Sequence, residues 1–240
     1  MTTPSPSGDV AVEAHGLSRR YGRRWALADV SFQVGRGSIL MITGRNGSGK
    51  STLLRVLATA IRPDHGQARV LGHDVAAARE EVRRCVSLLS HYSYNYEPLS
   101  ALDNLAIAAR FLGRAHSRES LLGLLAEVAL AERADDPVST YSAGMRKRLS
   151  LARVLLQDAP LVMLDEPYAG LDPPGFRLVD GLLRRLAQRG STVLMATHLL
   201  EHGASLCDQG IVLEGGRLTW SGPAAALRPS DLGGSGAATP

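Results

Sequence analysis

The sequence predicts an α/β protein: a parallel sheet covered by helices, with an antiparallel β part and a helical insertion. Three observations carry this. Short apolar runs alternate with longer stretches of helical periodicity, the pattern of strand–helix–strand units. A Gly-rich turn joins one such run directly to a helix. The stretch 100–157 has helical spacing and no convincing strand.

Taken in order, residues 1–8 are rich in Pro, Ser and Thr and are expected to be disordered. Residues 9–228 read as one domain. The first 35 residues of the chain suggest short strands with turns. The run 38–43 (SILMIT) reads as a buried strand, followed by the Gly-rich turn and a helix over 50–59. A helical subdomain is expected over about 91–157. Its apolar positions are Leu102, Leu105, Ala106 and Ala109, then Leu121, Leu122, Leu125 and Val128, with a last helix over 146–157. Two more buried strands follow, 161–164 and 192–196, with a helix over 173–189 between them. Residues 209–221 read as strands, with Gly215-Gly216 as a hairpin turn. The segment 229–240 is expected to be a flexible tail. No internal repeat is visible.

Composition narrows the function classes. The chain has 240 residues, 45% of them apolar and only 5% aromatic, so a sizeable core must be built from aliphatic side chains. That apolar share excludes disorder as a description of the whole chain. No run reaches the about 18 apolar residues of a membrane span. The start, MTTPSPSGDV, lacks a signal-peptide pattern, and a cytoplasmic location is expected. Cys85 and Cys207 are isolated and have no metal spacing, which fits a reducing compartment. Of 27 basic residues all but Lys50 and Lys147 are Arg, and they are dispersed in short pairs. A nucleic-acid surface would cluster them with aromatics, so no nucleic-acid partner is expected. Anionic lipid headgroups are a milder option.

Gly44-Arg45-Asn46-Gly47-Ser48-Gly49-Lys50-Ser51 fits G-x-x-x-x-G-K-[ST] between a strand and a helix. The glycines let successive backbone N–H groups curl around one centre. The nest and the helix N-terminus both favour an anion. Lys50 adds a positive charge for β- and γ-phosphates, and Ser51 offers a hydroxyl to Mg²⁺, which prefers oxygen. Thr52, directly after the motif, is a further nucleotide-binding candidate. The fold class is therefore a P-loop NTPase core.

The strand 161–164 ends in Asp165 and Glu166. In P-loop NTPases an Asp so placed holds Mg²⁺, usually through water. Glu166 lies at the sheet edge, where a carboxylate could polarise an attacking water. Tyr141-Ser142-Ala143-Gly144-Met145 precedes a helix: Ser142 can cap it, and Gly144 permits close backbone approach.

The ordered set resembles the ATP-binding subunit of an ABC transporter over roughly residues 10–225. Gly44 to Thr52 resembles Walker A, and Leu161 to Glu166 resembles Walker B. Tyr141 to Met145 resembles the LSGGQ signature, and Ala169-Gly170-Leu171-Asp172 the D-loop. His198 after Ala196-Thr197 resembles the switch histidine, and Tyr21 stands where the family has an aromatic to stack on adenine. The resemblance implies an ATPase that uses ATP and Mg²⁺, with Ser142 and Gly144 acting in trans in a head-to-tail dimer. It also implies separate integral membrane subunits at the cytoplasmic face of the membrane.

Two departures matter. The signature keeps Ser142 and Gly144 but not the family's Leu, first Gly and Gln. The usual Q-loop glutamine falls at His91, and imidazole is a poorer Mg²⁺ ligand than an amide oxygen. His91, the following LSALDNL and the SAG of the signature resemble the haem-exporter ATPases of cytochrome c biogenesis. Drug, lipid and other small-molecule exporter ATPases are the alternative. His91 as a haem ligand is a minor option. Tyr92, Tyr94 and Tyr96 either face a membrane subunit or pack locally. A soluble non-transport ABC protein would usually carry two cassettes or long coiled coils. A small-molecule kinase would need an acceptor site and an Arg-rich lid. His15, His65, His73, His116 and His202 show no ligand pairing and receive no role.

Overall fold

The computed structural model describes residues 10–90 and 94–232. Strands β1 (Val10–Tyr21) and β2 (Arg24–Gly35) form a long antiparallel hairpin. Then come β3 (Ile39–Thr43), α1 (Lys50–Leu57), β4 (His65–Val70), β5 (His73–Asp74), α2 (Arg79–Cys85) and β6 (Val86–Leu89). Helices α3 (Ala101–Phe111), α4 (Arg118–Glu127) and α5 (Ala143–Gln157) make up the insertion. The chain returns through β7 (Leu161–Asp165), α6 (Pro173–Gln188), β8 (Thr192–Ala196), α7 (Leu200–Ala204), β9 (Gln209–Glu214) and β10 (Arg217–Pro223).

Two sheets result. The larger has the order β10-β9-β3-β8-β7-β6, with β10 antiparallel at its edge and the rest parallel. The smaller, β2-β1-β4-β5, is antiparallel. Strands β3, β7 and β8 are buried at every position, which is why they read as continuous apolar runs. Their side chains still alternate between two cores. Leu161 and Met163 join α1 and the smaller sheet, whereas Val162 and Leu164 face α5, α6 and the insertion. Helix α1 is thus packed between the two sheets, with Leu53, Leu54, Val56 and Leu57 all buried. That burial holds the loop before it.

Several boundaries differ from expectation. The first strands are 12 residues each, not short. Register shifts near Gly16 and Leu17 interrupt their alternation and hide their length in the sequence. Helix α5 starts at Ala143 rather than 146, because Ser142 Oγ accepts from the Met145 N–H at 3.2 Å and caps it there. The tail expected to be flexible from residue 229 begins with a 3₁₀ turn, Pro229–Leu232, whose Leu232 packs against Met41, Val212 and Leu227. The expected disorder of residues 1–8 lies outside the described residues. Gly215 and Gly216 do form the two-residue hairpin turn, both with positive φ. Cys85 and Cys207 are free thiols. Among the described residues no helix is long and apolar enough to cross a membrane.

Candidate nucleotide site

The loop after β3 is shaped by close backbone packing. Gly44 (φ 139°) and Gly49 (φ 115°) are both left-handed. A Cβ on Gly44 would lie 2.1 Å from the Leu213 carbonyl oxygen, and one on Gly49 would lie 2.3 Å from that of Ala26. Only glycine fits either place. Gly49 caps α1 without a side-chain hydrogen bond, so the first N–H groups of the helix are left to point into the loop. Lys50, 6% exposed, donates from Nζ to the Gly44 and Arg45 carbonyls at 2.7 and 3.2 Å. Burial pulls its ammonium below the usual lysine range, and Glu166 and Asp165 oppose this.

Tyr21, Asn46, Gly47, Gly49, Lys50, Ser51, Thr52 and Glu166 line one open cavity of 590 Å³. Gly44, Arg45 and Ser48 belong to the same loop. Below it, Ser51 Oγ donates to Asp165 Oδ1 at 3.0 Å. Two hard oxygen donors so close fit Mg²⁺, which takes one or two protein oxygens and completes its shell with phosphate and water. Among the described residues no cluster of three His, Cys, Asp or Glu side chains forms a metal cage.

Glu166 continues β7 by donating its N–H to the Ala196 carbonyl at 2.9 Å, but with φ at 49°. This left-handed turn is uncommon for a residue with a Cβ, and such strain collects at functional positions. Glu166 Oε2 lies 2.9 Å from Nδ1 of His198. The carboxylate expected to polarise water and the switch histidine are therefore hydrogen-bonded.

Ser142, Gly144 and Asp172 do not line this cavity. Gly144 instead lies against the segment that leads into Asp172. A Cβ on Gly144 would lie 3.2 Å from the Gly170 carbonyl oxygen. Asp172 caps α6 by accepting from the Gly175 N–H at 3.0 Å and pairs with Arg148 at 2.8 Å. The Gly175 bond and then Arg148 hold the Asp172 carboxyl below the usual range. Tyr141, in place of the family's Leu, is buried and donates its hydroxyl to the Arg133 carbonyl at 2.5 Å. His91 and Tyr92 lie outside the described residues. Tyr94 and Tyr96 are exposed.

Three residues of this region were given no role by the sequence. Arg24 stands opposite Tyr21 across the two-residue turn and lines the same cavity. Arg148 ties α5 to Asp172. Lys147 reaches the Asp165 carbonyl at 3.4 Å, and its burial lowers its proton affinity against the pull of Asp165 and Glu166. One signal pointed to Lys147: it is one of two lysines among 27 basic residues, and the other is Lys50.

Fold and loop together define a P-loop ATPase of the cassette type. Residues 27–169 match the family described as ABC transporter, and the chain belongs to that family. It is 37% identical over 92% of its length to the daunorubicin/doxorubicin resistance ATP-binding protein DrrA of Streptomyces peucetius, covering 67% of that protein. It is 35% identical over 97% of its length to the Nod factor export ATP-binding protein I of Mesorhizobium japonicum, covering 69%. A solved ATP-binding subunit of an ABC transporter superposes with a TM-score of 0.82 at 29% identity, over 89% of this chain and 90% of that one. A dimeric cassette in a post-hydrolysis state with ADP and Pi gives 0.82 at 23% identity, over 90% of this chain and 100% of that one. The protein is an ATP-binding, ATP-hydrolysing subunit of an ABC transporter. The haem-exporter likeness is not supported: these relatives carry drug-resistance and Nod-factor names. Of the features behind it, SAG and LSALDNL are short segments, and His91 lies outside the described residues.

Proposed function

We propose that this chain is the motor of an exporter for a drug or other small molecule, acting through separate membrane subunits. The names of its relatives, daunorubicin/doxorubicin resistance and Nod factor export, support that cargo class over haem. The observation that carries the motor reading is the Glu166–His198 pair, 2.9 Å apart at the rim of the cavity that holds Lys50 and Ser51.

In this reading the N–H groups of Gly44 to Thr52 cradle the phosphates of ATP, and Lys50 faces the β- and γ-phosphates. Tyr21 stacks on adenine. Ser51 and Asp165 hold Mg²⁺, which when bound neutralises charge on the phosphate oxygens. Glu166 accepts a proton from the water whose oxygen attacks the γ-phosphorus, giving ADP and phosphate. His198 orients Glu166. Ser142 and Gly144 complete the site of a second copy packed head to tail, and Asp172 sits beside that contact. The dimeric neighbour supports such an assembly.

A second surface supports membrane partners at the cytoplasmic face. A groove of 330 Å³ between β6 and the insertion is lined by Tyr94, Phe111 and Leu112, and Phe111 is 84% exposed. Apolar exposure of this kind marks an interaction site.

Glu166→Gln tests the catalytic assignment. The amide keeps the shape and loses the base, so ATP binding should persist while turnover falls about 10²–10⁴-fold. Steady-state phosphate release alongside equilibrium binding of a labelled ATP analogue reads both. Turnover at the wild-type rate would remove Glu166 from its role.

A further inference from the structure

Helix α7 carries the chain just past His198, yet it is only five residues long and has no side-chain cap. So short a helix does not hold its own position in water. On one side it leans on Met41: a Cβ on Gly203 would lie 2.5 Å from the Met41 sulfur. On the other side stands a polar cluster. Tyr168 donates its hydroxyl to Asp180 Oδ1 at 2.8 Å, and His202 Nε2 lies 2.9 Å from the same oxygen. An ionised carboxylate only accepts, so His202 donates from Nε2. The Tyr168 ring meets the His202 ring edge-on, 4.8 Å between centroids at 87°, and Phe176 packs against both. Tyr168 is 3% exposed, and its burial raises the phenol's proton affinity, keeping it a donor.

Two of these residues lie shortly after the catalytic pair in the chain. Tyr168 follows Glu166 in the loop after β7, and His202 follows His198 on α7. The two segments are therefore joined twice. The Glu166–His198 bond is open to water, with the His198 side chain 60% exposed. The join through Asp180 is more sheltered, at 16% exposure for Asp180 and 34% for His202. We infer that Tyr168, Asp180 and His202 are positioning residues for ATP hydrolysis: Asp180, fixed on α6, clamps the two segments so that His198 meets Glu166. This rests on Glu166 and His198 being the catalytic pair.

The test is steady-state ATPase on the full chain, with rates expressed per folded molecule. Asp180→Leu removes the shared acceptor. It should lower kcat by about 10–10²-fold, the scale of a small misplacement of catalytic groups, with KM for ATP within about two-fold. Asp180→Asn keeps an oxygen in that place and should restore most of kcat. Tyr168→Phe keeps the packed ring, folds in any case where Asp180→Leu does not, and should cost kcat several-fold at unchanged KM. Wild-type kcat in both Asp180→Leu and Tyr168→Phe would overturn the inference, as would losses that vanish once corrected for folded protein. Glu166→Gln in the same assay separates the two readings. If it is inactive while the Asp180 and Tyr168 variants are not, only the clamp fails. If it turns over normally, the catalytic assignment fails first.

Discussion

Lys50 shows what a single side chain does here. Its ammonium is buried, held by two carbonyls of its own loop, and so placed where phosphate oxygens would arrive. Lys50→Ala should weaken ATP binding by about 10²-fold or more, the equivalent of losing one or two charge-assisted hydrogen bonds. Lys147→Ala, which removes the other lysine, should leave affinity within about three-fold, because Lys147 bonds the Asp165 carbonyl and does not line the cavity. Titration with a labelled ATP analogue compares them; equal losses would mean that the loop is not the phosphate site. The contrast also marks what the sequence can convey at this scale. Residues 44–52 are contiguous, so their chemistry is visible as a motif. Lys147, Arg148, Tyr168, Asp180 and His202 acquire partners only when distant segments fold together, and no spacing announces them.

Among the elements, α5 links the two parts of the chain. Its first turn belongs to the signature segment, and its later residues Leu149, Leu151, Ala152 and Leu156 are buried in the core. Ser142→Ala removes the cap and should cost about 1 kcal/mol of stability, lowering Tm by about 2–4 °C for a chain of this size. Thermal unfolding without nucleotide measures this apart from any role of Ser142 toward a second copy; an unchanged Tm would show that the cap is dispensable. Strands β3, β7 and β8 were legible because both faces are buried and all but one end residue of each is apolar. Strand β4, HGQARV, was not: only Ala68 and Val70 are buried, leaving too little alternation to detect. Strand β6 escaped because Val86–Leu89 follows the charged helix α2 without a break.

At the scale of the whole molecule, the proposed function gives one chain two incomplete surfaces: the phosphate loop, and the segment of Ser142 and Gly144. A single copy cannot bring both to one nucleotide, since only the first lines the cavity. Glu166→Gln with ATP should therefore accumulate as a dimer on size exclusion and return to monomer with ADP. A persistent monomer at ATP well above the binding constant would count against the head-to-tail assembly.

The crowding around Gly44 also bears on how the protein is made. The loop is pressed against the Leu213 carbonyl, and the Gly216 N–H donates to the Ser48 carbonyl at 3.0 Å while the Gly216 carbonyl accepts from Ala28 at 2.7 Å. The strand and turn that mould the loop thus leave the ribosome well after the loop itself. A nascent chain translated as far as β8 holds every residue of the motif but not the contacts with β9 and its turn. Competence for ATP therefore waits until β9 and its turn have been made, and from then on nucleotide stabilises the folded domain in preference to shorter precursors.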